Sequence, residues 1–191
     1  MILLIVVILG IGVGIARGGR LEGLSQVRVR GVAAIFLLFA AQALIRQGGP
    51  RLGLVGSTLV VWVWCAVSVG LIIVCVLNWG IRGIPLVALG VALNLLVVAL
   101  NVGMPVGGTL AASYGMSPSR DSLANHGGFY RTVDTETVAA VLGDIIPIPL
   151  PRPARAIVSL GDLLMFLGVA VMVEESVYGG RYRGRHTASH S

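Results

Sequence analysis

The sequence predicts an all-α integral membrane protein with about five transmembrane helices. Three observations lead to this prediction: a low charge content, a high hydropathy, and five apolar segments separated by arginine-containing stretches. Of the 191 residues, 56% are hydrophobic and 12% are charged, and the mean hydropathy is +0.93. A water-soluble domain carries about a quarter of its residues charged. The chain lacks that polar surface, so we expect lipid to be its solvent.

The five predicted spans differ in length. Segments 57–79 and 85–104 are long enough for a hydrocarbon core of about 30 Å, which requires about 20 helical residues. Segments 1–16, 32–45 and 156–173 are shorter, and we expect flanking arginines to snorkel and the bilayer to thin around them. Because lipid offers no partner to backbone polar groups, every span is predicted to be a helix.

Two glycines in the first span have the spacing of a helix-packing motif. Gly10 and Gly14 are four residues apart and therefore lie on one face of a helix. A small-xxx-small pair of this kind lets another helix approach closely. We therefore predict that both glycines contribute to helix packing.

The distribution of arginine predicts the orientation. All 14 basic residues are arginines, and with the N-terminus outside eight of them are cytoplasmic: four in 17–31, Arg82, and three in the tail. The positive-inside rule then favours an external N-terminus and a cytoplasmic C-terminus in a bacterial plasma membrane. The arginines form no basic face interleaved with aromatic residues, so we expect no nucleic-acid partner.

The polytopic domain is predicted to cover residues 1–175, with an extracytoplasmic loop at 105–155 and a basic, disordered cytoplasmic tail at 176–191. In the loop, Asp134 and the following "TETVAAVLGD" predict a short helix that ends near Gly143. The next stretch, "IIPIPLPRP", contains four prolines, which remove backbone donors and favour extended geometry. We predict an extended interfacial or re-entrant segment there.

The tripeptide Leu-Gly-Asp occurs twice and supplies two candidate site residues, Asp144 and Asp162. Ser159 precedes Asp162 by three residues at the start of an apolar segment, which is the spacing of a helix capping box. The alternative is that Asp162 is a membrane-embedded acid with a function. Asp144 is expected either to form a structural salt bridge with Arg152 or Arg155, or to take part in binding a ligand.

Buried amides supply further candidates. Asn94 and Asn101 are seven residues apart and share a helix face, and Gln42 lies in the second span. Amides buried in lipid need hydrogen-bond partners, so these side chains are predicted either to join helices or to line a pocket. His126 has no nearby metal-ligand spacing and is expected to be solvated. Cys65 and Cys75 are expected to be apolar filler, and no metal or cofactor is predicted.

Several of these motifs carry a resemblance. The stretches "NLLVVALNVGMPV", "LGDIIPIPLP" and "VSLGD" resemble a family of small multi-span bacterial membrane proteins, a domain of unknown function (number fifty-three seventeen). The resemblance covers most of the chain apart from the tail, and it departs where "NVGMP" replaces a more usual double glycine. It implies that the two Gly-Asp sites and the loop histidine cluster in space, and it implies no activity. The residues that carry it are Gly18, Gly19, Arg20, Leu21, Asn94, Asn101, Met104, Pro105, His126, Gly143, Asp144, Ile146, Pro147, Ser159, Gly161 and Asp162.

Two functions fit the sequence. Small size, close-packing glycines and the lack of a catalytic motif favour a non-enzymatic accessory or assembly subunit of a larger membrane complex. Its partners would be membrane lipids and either another membrane protein or further copies of the chain. The alternative is a lipid- or isoprenoid-binding enzyme or carrier with a polar site at the outer leaflet. That site would be formed by His126, Asp144, Arg152, Arg155 and Asp162.

Overall fold

The computed structural model describes residues 1–26, 29–31, 33–34, 37–38, 40–41, 58–114, 129–151 and 155–187. Within these ranges the α-helices with defined bounds are α1 (Ile2–Ala16), α2 (Thr58–Leu77), α3 (Ile84–Asn101), α4 (Gly108–Ser113) and α5 (Leu160–Thr187). The short strands are β1 (Met104–Val106), β2 (Tyr130–Thr132), β3 (Ile146–Ile148) and β4 (Ala156–Val158). Two 3-10 helices cover Leu21–Gln26 and Ala140–Leu142.

Within the described residues, two helices are long and apolar enough to cross a membrane. These are α2, with 20 residues, and α3, with 18 residues, and both indicate association with a membrane. The chain is thus mostly helical, but it is not all-α as predicted, because short strands are present, and five transmembrane helices are not supported. The first predicted span forms a helix of 15 residues, and most of segment 32–45 lies outside the described residues.

The last predicted span begins later than expected. Residues 156–158 form β4, because their backbone pairs with the proline-rich segment, and the helix starts only at Leu160. This helix, α5, continues to Thr187 and so includes most of the tail that was expected to be disordered.

The connection between α2 and α3 is a tight turn that makes these helices antiparallel. Gly83 has a left-handed φ of 91° immediately before α3, and Pro85 lies in the first turn, where its missing donor leaves no hydrogen bond unmade. Near the turn, Cys75 packs with Ile84 and Ala88. Both cysteines are buried, as expected for apolar filler.

Four glycines bring α3 and α5 into close antiparallel contact. A Cβ atom added at Gly83 would lie 2.1 Å from the carbonyl oxygen of Gly168, and one added at Gly90 would lie 2.4 Å from that of Gly161. The glycines of each helix are seven residues apart, which places them on one face. We call these four residues the glycine seam. It fixes the register of the two helices, because only glycine allows the backbones to approach this closely.

The strands cover the end of the bundle at which α3 ends and α5 begins, which we call the strand end. β1 pairs in parallel with β2, and β3 pairs antiparallel with β4, with Ile146 opposite Val158. The proline-rich segment is therefore extended, as predicted. The short helix expected after Asp134 is reduced to the three-residue 3-10 helix Ala140–Leu142, which ends at Gly143.

The core below the strand end joins the helices to the strands. Phe129, beside β2, is 2% exposed and packs against Val61, Val97, Val98 and Met104. Because this cluster includes residues of α2, α3 and β1, it fixes the polar loops above it relative to the helices.

Candidate functional site

The centre of the candidate site is a set of hydrogen bonds between Asn94 of α3 and the start of α5. The Oγ of Ser159 donates to Oδ1 of Asn94 at 2.8 Å, and Nδ2 of Asn94 donates to Oδ1 of Asp162 at 2.9 Å. Ser159 is 0% exposed and Asn94 is 5% exposed. We call these three residues the Asn-Ser-Asp network.

Ser159 and Asp162 also form a reciprocal helix cap. The backbone N–H of Asp162 donates to Oγ of Ser159 at 2.9 Å, and the backbone N–H of Ser159 donates to Oδ2 of Asp162 at 3.2 Å. This is the capping-box arrangement, with Asp in the place usually taken by Glu or Gln. The carboxylate also lies at the positive end of the α5 dipole, which stabilises its charge.

Glycine is required between these two capping residues. A Cβ atom at Gly161 would lie 2.1 Å from Oδ1 of Asn94 and 2.6 Å from the carbonyl oxygen of Gly90. The second Leu-Gly-Asp motif therefore combines a packing residue with a capping residue.

The first Leu-Gly-Asp motif has a different environment. Asp144 is buried, and its backbone N–H donates to the carbonyl oxygen of Pro105 at 2.8 Å. The Asp144 carbonyl accepts from the N–H of Gly107, so the residue forms an isolated parallel bridge to Val106. At Gly143 a Cβ atom would lie 2.6 Å from the Pro105 carbonyl, so glycine allows this approach.

The other predicted asparagine closes the end of α3. Nδ2 of Asn101 donates to the carbonyl oxygens of Val97 and Val138, and its Oδ1 accepts from the N–H of Val138 at 2.9 Å. Asn94 and Asn101 thus each connect α3 to a different segment of the chain.

The predicted cations are only partly within the described residues. Arg155, just before β4, lies with its guanidinium 4.1 Å from the centre of the ring of Tyr114, which directly follows α4; this is a cation–π contact. The expected salt bridge of Asp144 with Arg152 or Arg155 stays a prediction, because Arg152 is not among the described residues. Arg152, His126 and Gln42 lie outside the described residues.

One structural amide was missed by the sequence analysis. Asn78, at the end of α2, is 5% exposed; its Oδ1 accepts from the N–H of Arg30 at 2.7 Å, and its Nδ2 donates to the Arg30 carbonyl at 2.9 Å. An amide at the boundary of an apolar segment, followed by "WG", is the signal that would have identified it.

The opposite end of the bundle, which we call the arginine end, is held by ion pairs. Arg17, after α1, pairs with Glu174, and Arg82, before α3, pairs with Glu175 at 2.7 Å. The same α1–α5 contact includes the two predicted packing glycines. A Cβ atom at Gly10 would lie 2.9 Å from the Ala170 carbonyl, and one at Gly14 would lie 2.7 Å from Cβ of Val177.

Comparison with known proteins identifies the family of the chain. The profile of a family of unknown function, DUF5317, matches residues 26–174, which include α2, α3, all four strands and the first half of α5. The chain belongs to DUF5317. No curated protein and no solved structure matches it.

The DUF5317 region contains every residue of the Asn-Ser-Asp network and of the glycine seam, whereas Gly10 and Gly14 precede it. An open cleft of about 580 Å³ lies within the same region, beside β1. The cleft is lined by Gly107, Gly108, Thr109, Ala112, Thr132 and Val133.

Among the described residues, no group of three or more His, Cys, Asp or Glu side chains is arranged to hold a metal ion.

Proposed function

We propose that this chain is a non-enzymatic, multi-pass protein of the bacterial plasma membrane that serves as an accessory or assembly subunit of a larger membrane complex. The observation that carries the proposal is the Asn-Ser-Asp network. Its side chains bond to one another and to the backbone of α5, which supports a structural role for the second Gly-Asp motif.

The surface of the helices supports the membrane part of the proposal. Large apolar side chains that are about half exposed lie along α1, α2 and α3, including Leu4, Trp62 and Leu96. Exposed apolar surface of this extent fits lipid chains and the helices of a membrane partner, and it does not fit water.

The proposed orientation places the N-terminus outside and the C-terminus in the cytoplasm. Arg17 and Arg82 both lie at the arginine end, at which α5 continues into the arginine-rich tail. That end would face the cytoplasm, and the strand end would face the exterior, in keeping with the positive-inside rule.

Purification of the tagged chain from native membranes in a mild detergent tests the proposal. We expect the chain to elute in an assembly larger than a detergent-bound monomer, with a membrane protein recovered in constant ratio or with several copies of itself. The Asp162→Asn variant replaces one of the two accepting carboxylate oxygens of the network by a donor, and less folded chain should be recovered from it. Recovery of monomer only, across several mild detergents, would contradict the proposal.

A second candidate function is a carrier or enzyme that binds a lipid or isoprenoid at the outer leaflet. The cleft beside β1 favours it, because the Gly107 N–H that adjoins the cleft donates to the carbonyl of the buried Asp144. This alternative predicts that Asp144→Asn and Asp162→Asn abolish a cellular phenotype at normal protein levels. Degradation of both variants would instead support the structural role.

A further inference from the structure

We propose that the segment Val138–Leu142 inserts into the acyl-chain region of the bilayer as an apolar cap on α3. We call this segment the valine cap. The inference rests on the proposed membrane span of α3 and goes beyond the proposed function, because it assigns a lipid-contacting surface to part of the predicted extracytoplasmic loop.

The exposure of the valine cap is the first observation. Val138 is 50% exposed and Val141 is 66% exposed, which makes Val141 one of the most exposed large apolar side chains described. The preceding turn is polar and also exposed, at Thr135 and Glu136. The chain therefore changes from a polar to an apolar surface within a few residues.

The position of the valine cap is the second observation. Asn101 in the last turn of α3 holds the backbone of Val138 through both its N–H and its carbonyl. In the same turn Leu100 is 50% exposed, and Leu96 one turn earlier is 49% exposed. Exposed apolar surface thus occurs on both sides of the end of α3, so the surface that faces lipid along the helix continues onto the cap.

The length of α3 is the third observation. Its 18 residues, at a rise of 1.5 Å each, give a helix of about 27 Å. The hydrocarbon core of a bilayer is about 30 Å thick. The end of α3 would therefore lie slightly inside the hydrocarbon, and an apolar segment laid across that end supplies the missing thickness.

Three backbone N–H groups in and next to the valine cap are hydrogen-bonded within the protein. Irregular backbone in lipid requires internal hydrogen bonds. The N–H of Val138 donates to Oδ1 of Asn101. The N–H of Leu142 donates to the carbonyl oxygen of Ala139 at 2.8 Å, and the N–H of Gly143 donates to the carbonyl oxygen of Ala140 at 3.0 Å. Leu142 also packs against the core cluster of α3, which anchors the segment.

Site-directed spin labelling in phosphatidylcholine vesicles tests the inference. Nitroxide labels are attached to Val141→Cys in the valine cap, Glu136→Cys in the polar turn and Leu96→Cys on the exposed face of α3. The parent chain, whose Cys65 and Cys75 are buried, measures background labelling. The readout is the ratio of collision rates with oxygen, which concentrates in lipid, and with a nickel chelate, which stays in water.

We expect the oxygen-to-nickel ratio at Val141 to be severalfold higher than at Glu136 and close to that at Leu96. A ratio at Val141 equal to that at Glu136, with Leu96 still in lipid, would overturn the valine cap and leave the span of α3 intact. A low ratio at Leu96 as well would overturn the membrane placement of α3 on which the proposed function rests. Unchanged elution in gel filtration establishes that each labelled variant is folded.

Discussion

At the scale of single residues, Ser159 shows how one hydroxyl can serve two helices. Its Oγ accepts from the first turn of α5 and donates to Asn94 of α3, and it is fully buried. Removal of the hydroxyl would leave the backbone N–H of Asp162 and the side-chain Oδ1 of Asn94 without this partner. Buried polar groups that lose a partner retain the full cost of their desolvation.

We therefore expect Ser159→Ala to destabilise the protein by about 1 kcal/mol or more, the usual effect of removing a helix cap. The midpoint of SDS-induced unfolding in mixed micelles measures this change. Ser113→Ala is the matched control, because the Ser113 hydroxyl is exposed and bonds only within its own short helix. Equal midpoints for the two variants would contradict the capping role.

Gly161→Ala should be more damaging than removal of the cap. The added Cβ would lie 2.1 Å from the Asn94 side chain and 2.6 Å from the Gly90 backbone, and backbone cannot move aside easily. Overpacking of this kind costs about 1–3 kcal/mol. Gly80→Ala is the control, because nothing lies within 4 Å of a Cβ at that exposed position. The same unfolding assay compares the two, and similar midpoints would argue against close contact at the glycine seam.

The sequence carried only part of this residue-scale information. The spacing of Ser159 and Asp162 predicts a cap because both residues belong to one turn. The bonds from Asn94 depend on the register of two helices that are more than 60 residues apart in the chain, and no local pattern contains that register. The seven-residue glycine spacing on each helix is visible in the sequence, and its meaning becomes clear only when the helices are paired.

At the scale of elements, α1 and α5 provide a test within a single helix. A Cβ at Gly14 would lie 2.7 Å from Val177, whereas nothing lies within 4 Å of a Cβ at Gly12 on the other face of α1. We expect Gly14→Ala to lower the unfolding midpoint. Gly12→Ala should leave it unchanged or raise it slightly, since Ala favours a helix over Gly by about 0.5–1 kcal/mol. A larger drop in the unfolding midpoint for Gly12→Ala than for Gly14→Ala would mean that the opposite face of α1 contacts α5, which would contradict the packing described.

The elements also show where sequence patterns mislead. Residues 156–158 are as apolar as the helix that follows them, so hydropathy alone assigned them to a span. The strand pairing of β4 depends on the proline-rich β3, whose extended geometry was predicted from its prolines. The two strands together explain why α5 begins at Leu160, directly after the capping serine.

At the scale of the whole molecule, the proposed orientation gives a direct prediction. A reporter that is active only in the cytoplasm should be active when it is fused to the C-terminus. A reporter that is active only after export should be inactive at the same site. A fusion in the polar turn after β2, at Glu136, should give the opposite result. Replacement of Arg17 and Arg82 by Gln is expected to weaken this preference, because it removes positive charge from the cytoplasmic side. The same reporter activity at both sites would contradict the orientation.

The helical, membrane-associated character of the molecule could be predicted from composition, because the shortage of charge is a property of the whole chain. The number of spans could not, since short apolar segments also form strands and partial helices when other parts of the chain cover them. The pairs Arg17–Glu174 and Arg82–Glu175 likewise depend on which helices meet at the arginine end.

The glycine seam and the Asn-Ser-Asp network together restrict how this molecule can change shape. A shift of α5 along α3 by one residue would separate Asn94 from its partners and press Cβ atoms against backbone carbonyls. The two helices must therefore travel as one rigid body during any conformational transition.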